Sequence, residues 1–158
     1  MAQTYEPIAT NVLTSNQTSI TFSSIPQTYT DIVVVIDGIS ADNDECRFQF
    51  NGSATGYSFT QFYGLSSAAG STRGTARTTG RIGSIRTTPN IIIGHIINYT
   101  NTTSYKTVIS RDGTTTIITE AFANTWQNTA AITSIVFTPS GLTFNTGMTF
   151  TLYGIKAA

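Results

Sequence analysis

The sequence predicts an all-β protein: one antiparallel β-sandwich domain, jelly-roll-like, with eight or nine strands. Three observations carry that expectation. Two segments, Ile32–Ile36 and Ile91–Tyr99, are dense in Ile and Val. Branching at Cβ suits an extended, packed backbone better than a helix. Turn signals recur between short apolar-alternating stretches, as in a sandwich or barrel and unlike parallel βαβ units. No segment holds an i, i+3, i+4, i+7 apolar stripe over three turns. An immunoglobulin-like sandwich is the alternative, and no internal repeat of fixed period is present.

In chain order, residues 1–18 read as an N-terminal arm, or an edge strand because of Pro7. Ser19–Ser23 alternates Ile20 and Phe22 with polar residues, as a half-buried strand should. After a connection holding Pro26 comes Ile32–Ile36, five β-branched residues in a row that predict an inner strand buried on both faces. Asp37–Glu45 is a polar turn broken by Gly38 and Asn43. Arg47–Asn51 alternates Phe48 and Phe50 and ends at the turn dipeptide Asn51-Gly52. Tyr57–Tyr63 places Tyr57, Phe59, Gln61 and Tyr63 on one face.

Residues 64–89 form a long arginine-bearing loop on this reading, rich in Gly, Ser, Thr and Ala, with a short strand around Ile82–Ile85. Ile91–Tyr99 is a second strand apolar on both faces. Lys106–Arg111 and Thr115–Phe122 flank the hairpin signal Asp112-Gly113. Ile132–Thr138 is stopped by Pro139, and Gly147–Lys156 closes the chain.

Composition narrows the function classes. A chain of 158 residues is one domain, able to bury roughly 70% of its unfolded surface without a disulfide or metal. Cys46 is the sole cysteine, so no intrachain bridge exists. The start, MAQTYEPIAT, lacks the basic and apolar regions of a secretory signal, so cytosolic synthesis without that export route is expected. No apolar run approaches the roughly 20 residues of a spanning helix, and no membrane partner is expected. Charged residues are 10% of the chain, against about 25% in typical soluble proteins. Lys plus Arg is 8 and Asp plus Glu is 8, a net charge of zero. A neutral chain has no general attraction for nucleic acid and little self-repulsion to oppose dense packing against its own copies.

Few residues point to chemistry. His95 is the only histidine, which excludes a multi-histidine metal site. With Ile93 and Ile97 on its own face it reads as a packed or interface histidine. No G-x-S-x-G elbow, Walker loop or H-E-x-x-H is present. Asp37, Asp42, Asp44 and Glu45 could in principle hold Ca²⁺, but they miss the EF-hand pattern and read as turn formers. No catalytic residue, metal or cofactor is expected, and the protein is read as non-enzymatic.

Arg73, Arg77, Arg81 and Arg86 lie in RGTARTTGRIGSIR with no acid among them. Arginine forks pair with carboxylates and phosphates and suit interface burial. They are the candidate partner-binding residues, through docking on an acidic protein surface. The competing reading is a solvated loop whose charges pair with the Asp42–Glu45 turn. Nucleic acid is disfavoured because no aromatic residue is interleaved with them. The two lysines, Lys106 and Lys156, leave sheet edges lightly guarded, which suits edges covered by a neighbouring subunit.

Tyr5–Gly38, with PIAT, TFSSIP and TYTD followed by an apolar strand, resembles the opening of a group of small tailed-bacteriophage virion proteins. Phe150–Lys156, FTLYGIK, is similar to their closing strand. The resemblance covers about a third of the chain, at its two ends, and is weak between Gly52 and Asn145. It implies a β-sandwich on a phage particle: a capsid decoration (cement) protein, or a module of a tail or fibre. Under the first reading the partners are its own copies, as a homotrimer, and the major capsid protein, with the virion as its location. Under the alternative it recognises cell-surface glycan, with Tyr57, Phe59, Phe62, Tyr63 and Trp126 as aromatic platforms.

Overall fold

A computed structural model describes residues 5–65, 67–113 and 118–156. It contains β1 (Tyr5–Val12), β2 (Ile20–Phe22), β3 (Asp31–Gly38), β4 (Asp44–Phe50), β5 (Tyr57–Leu65) and β6 (Ala68–Arg77). They are followed by β7 (Gly80–Ile85), β8 (Asn90–Ile97), β9 (Lys106–Gly113), β10 (Ile118–Trp126), β11 (Ile135–Pro139) and β12 (Thr149–Ile155). The large sheet runs β1-β12-β3-β8-β9-β10-β5-β6, and the small sheet runs β2-β11-β4-β7. Every pairing is antiparallel.

The halves β1-β12-β3-β8 and β2-β11-β4-β7 have the strand order of an eight-stranded jelly roll. Two hairpins are inserted into it, β5–β6 between β4 and β7, and β9–β10 between β8 and β11. Both add beyond β8 and carry the large sheet onward. The described strands therefore number twelve, not eight or nine. β7 alone crosses this extension, packing on β8, β9, β10 and β5.

Two expectations about the chain's irregular parts are corrected. Residues 64–89 are not a loop but chiefly β6 and β7. β6 was invisible because nearly all its side chains are exposed. It is an edge strand held by backbone pairing to β5, so it has no apolar alternation to detect. Residues 1–18 hold an edge strand rather than a free arm: β1 pairs along β12, with a bulge after Pro7, and an edge tolerates proline's missing N–H. Asp112-Gly113, expected as the hairpin turn, is instead the end of β9, paired with Glu120 and Thr119 of β10, and the start of the strand expected at Thr115 lies outside the described residues.

Ile32–Ile36 lies in β3 and Ile91–Ile97 in β8, side by side within the sheet. Neither is buried on both faces. Ile32, Val34, Ile36, Ile92 and Ile96 enter the core, while Val33, Val35 and Ile93 face outward half-buried. A run of apolar residues shows that a strand is β-branched, not that a second layer covers it. The sheets approach closely at Gly94, where an added Cβ would stand 2.6 Å from Ile82 Cδ1.

Under the first turn of the extension the core is aromatic. Tyr57 and Trp126 stack with ring centroids 6.1 Å apart, and Phe50 meets Trp126 edge-on at 5.5 Å. The Tyr57 hydroxyl accepts the Phe50 N–H at 2.7 Å, and burial pushes its phenol up to about 12. Lys106 is not an edge guard. It is buried, and its ammonium donates to the carbonyls of Asn101, Ser104 and Thr129 at 2.5, 3.1 and 3.0 Å. That ties two loops at one end of the sandwich.

Candidate functional site

Beyond its aromatic cluster, the extension has a polar interior. Glu120 and Asp112 are directly opposite across β10 and β9, and both face inward beneath β7, 2% and 5% exposed. Ser84 of β7 bridges them. Its N–H donates to Asp112 Oδ2 at 2.5 Å and its hydroxyl to Glu120 Oε2 at 2.9 Å. Arg86 also donates to Glu120 Oε2, and Gln61 Nε2 to Glu120 Oε1. Arg81 Nη2 stands 3.9 Å from Glu120 Oε1. Its guanidinium carbon lies 5.1 Å from the Phe122 ring centroid, within cation–π range.

The Asn124 amide grips β7 at two points, accepting the Arg81 N–H and donating to the Arg81 carbonyl, each at 2.9 Å. Asp112 Oδ1 has no partner among the described residues. Burial, chiefly, raises the Asp112 carboxyl from 3.8 to about 7, and the neighbouring Glu120 charge adds to it. The Ser84 N–H works the other way. Asp112 therefore retains its proton well above the usual carboxylate range.

The four sequence-predicted arginines divide into two pairs. Arg81 and Arg86 already face carboxylates of this chain: Arg86 pairs with buried Glu120, and Arg81 Nη1 with Glu45 Oε1 at 3.0 Å. Arg73 and Arg77 lie on exposed β6, with no ion pair among the described residues. The competing sequence reading, pairing with the Asp42–Glu45 turn, holds for Arg81 alone. Asp44 is a turn former: its carboxylate accepts the N–H groups of Glu45, Gly141 and Leu142 at 2.8, 2.9 and 3.1 Å. No cluster of metal-ligating side chains occurs among the described residues.

Sequence reasoning missed Glu120, Asp112 and Gln61. A signal existed for Glu120, because ITEAFANTW places it in phase with Phe122, Asn124 and Trp126. A carboxylate in the buried phase of a strand needs a partner. Asp112 was hidden by its turn-like neighbour Gly113.

The outer face of the large sheet is the second candidate. His95, Ile109, Ala123 and Thr60 form one cross-strand row, and Ile93, Arg111, Ala121 and Phe62 the next. Ile91, Ile97, Ile109 and Phe62 are 46%, 41%, 46% and 55% exposed. His95 is half-buried among them, Nε2 3.1 Å from Asp31 Oδ2. Of the proposed aromatic platforms, Tyr57 and Trp126 belong to the core and Phe59 packs on Phe122. Phe62 is the one prominently exposed.

No protein-family model matches this chain, and no curated protein matches it. Among solved structures it is similar to a mutant of the alginate lyase Aly36B in complex with alginate tetrasaccharide. That likeness has 12% identity, covers 94% of this chain and 80% of that chain, and has a TM-score of 0.28. A likeness that slight carries no argument about fold or activity.

Proposed function

We propose that this protein is a non-enzymatic structural component of a bacteriophage virion, a capsid decoration protein that binds the major capsid protein shell as a homotrimer. The observation that carries the reading is the outer face of the large sheet. It is broad, built on eight paired strands, and presents Ile91, Ile97, Ile109 and Phe62, with Arg111 and His95 among them. Several large apolar side chains exposed on one sheet face suit an interaction surface. Zero net charge removes the repulsion that would oppose close packing of copies. The resemblance of Tyr5–Gly38 and Phe150–Lys156 to small phage virion proteins supplies the setting. Their segments form β1, β2, β3 and β12, of which β1, β12 and β3 are neighbours in the large sheet.

Quantitative mass spectrometry of purified particles tests it. Decoration of a symmetric shell expects a copy number on the order of hundreds, whereas a tail or fibre module expects on the order of ten. Mass measurement of protein released from disrupted particles tests the trimer. A monomer there, with an interface below about 1,000 Å² on the particle, overturns it.

A further inference from the structure

We propose that a cleft of about 160 Å³ beside β7, ringed by Arg47, Arg77 and Arg81, is a carboxylate-binding site that takes an acidic side chain from a polypeptide partner. Glu45 is the sole acid in its lining, and both its oxygens are already engaged. Oε2 accepts from Arg47 Nε and Nη2 at 2.9 and 2.8 Å, and Oε1 lies 3.0 Å from Arg81 Nη1. Arg47 and Arg81 are directly opposite across β4 and β7. Their mutual repulsion is relieved by this shared carboxylate, with Glu120 Oε1 farther off at 3.9 Å from Arg81 Nη2, and Arg77 adds a third guanidinium.

Arg77 is the unsatisfied member. It has no ion pair among the described residues. The register of β6 on β5 shifts between Tyr57 and Phe59, and Ala76 sits at φ 51°. A bulge of this kind re-aims the side chains that follow it. Arg77 is folded back over Gly74, where an added Cβ would lie 2.9 Å from its Nε and 2.6 Å from Phe59 Cε1. Glycine there makes room for the guanidinium and the ring together. Phe59 gives the cleft an apolar wall for methylene groups, and Thr78 adds a polar rim.

An acidic side chain of a polypeptide fits these features better than a polyanion. The cleft has the volume of a single small group, and a guanidinium already holds a carboxylate beside it, Arg47 Nε and Nη2 both donating to Glu45 Oε2. A chain of net charge zero has no extended field to hold a nucleic acid. The cleft opens on the inner side of the large sheet, away from its outer face. Peptide capture by the isolated protein and copy number on particles can therefore succeed or fail separately.

Calorimetric titration with hexaglutamate, hexaglutamine, inorganic phosphate and a single-stranded oligonucleotide tests the site. The parent, Arg77→Gln, Arg77→Lys and Arg111→Gln are compared, with melting curves to confirm folding. Hexaglutamate should bind the parent at low salt, at least about tenfold more weakly to Arg77→Gln, and unchanged to Arg111→Gln. Arg77→Lys, which keeps the charge and loses the fork, should fall between. Equal weakening by Arg77→Gln and Arg111→Gln would mean diffuse charge and overturn the site. So would absence of hexaglutamate binding, or phosphate or oligonucleotide binding as tight as the peptide's.

Discussion

The two ends of the large sheet solve burial differently. Over β12, β3 and β8 the small sheet supplies three strands and an apolar interior: Ile32, Val34, Ile36, Phe137, Phe150 and Leu152. Over β9, β10 and β5 it supplies chiefly β7, and beyond the aromatic cluster of Phe50, Tyr57 and Trp126 the interior holds Glu120, Asp112, Gln61, Ser84, Arg81 and Arg86. The apolar half needs only matched volumes. In the polar half every charge taken from water must find its partner at the right distance. Stability in the first half is spread over many contacts, whereas in the second it is concentrated in a few.

The largest expected effect lies in the apolar half. Val34→Asp puts an unpaired charge between two sheets and should cost about 5 kcal/mol or more, enough to unfold many domains of this size. Urea denaturation measures it. A midpoint within a few tenths molar of the parent would mean that β3 is not part of the core.

The next effect belongs to Asp112 and is read with pH. Its carboxyl titrates near 7 in the folded protein instead of 3.8. Glu120, Arg81, Arg86 and Cys46 are the other titratable or charged groups around it. The folded state therefore holds a proton that the unfolded state has released, and stability falls as pH rises between those values. This group's contribution is full below about 3.8, is lost by the time pH passes about 7, and is flat above. At 1.36 kcal/mol per unit the loss is about 4 kcal/mol. Asp112→Asn should flatten the fall. A variant that keeps the parent's slope from pH 4 to 7 would assign the pH dependence elsewhere.

Much of the apolar half was legible in the sequence, and little of the polar half was. Alternation in Ser19–Ser23 and Arg47–Asn51 and the β-branched runs of β3 and β8 marked four strands that bound the core. What alternation cannot show is the number of layers. Ile91, Ile97 and Ile109 look like core residues in sequence, yet they face away from the small sheet. Nor can it show β6, whose exposed residues are held by backbone pairing alone. The absence of an acid near the arginines was true locally and misleading in space. Glu120 is 34 residues from Arg86 in the chain and meets it only because β7 lies over β10.

Glu120→Gln probes the polar half at its centre. Gln keeps the shape and one acceptor, but it leaves the Arg86 guanidinium buried without its carboxylate. The expected cost is about 3 kcal/mol, less than for Val34→Asp, because a hydrogen bond to a charged group is weakened rather than a charge newly buried. The double variant Glu120→Gln with Arg86→Met should recover part of the loss. Additive single and double changes in thermal denaturation would mean the two side chains are not coupled.

The smallest effect separates a charge in the network from one on its edge. Arg73 stands on β6, the outermost strand of the large sheet, fully outside the cluster. Its side chain has no ion pair to lose among the described residues, so Arg73→Ser should change stability by less than about 0.5 kcal/mol. The consequence should appear in association instead. A free edge strand presents unpaired backbone groups, and a charged side chain on it discourages edge-to-edge pairing. Serine in its place leaves β6 longer in neutral, β-compatible sequence, from Ala68 to Ala76. Sedimentation velocity at rising concentration should then show more self-association than in the parent, with the melting temperature unchanged. A drop in melting temperature comparable to that of Glu120→Gln would place Arg73 inside the polar network. Equal sedimentation of variant and parent would mean that the bulge near Ala76, rather than Arg73, is what protects this edge.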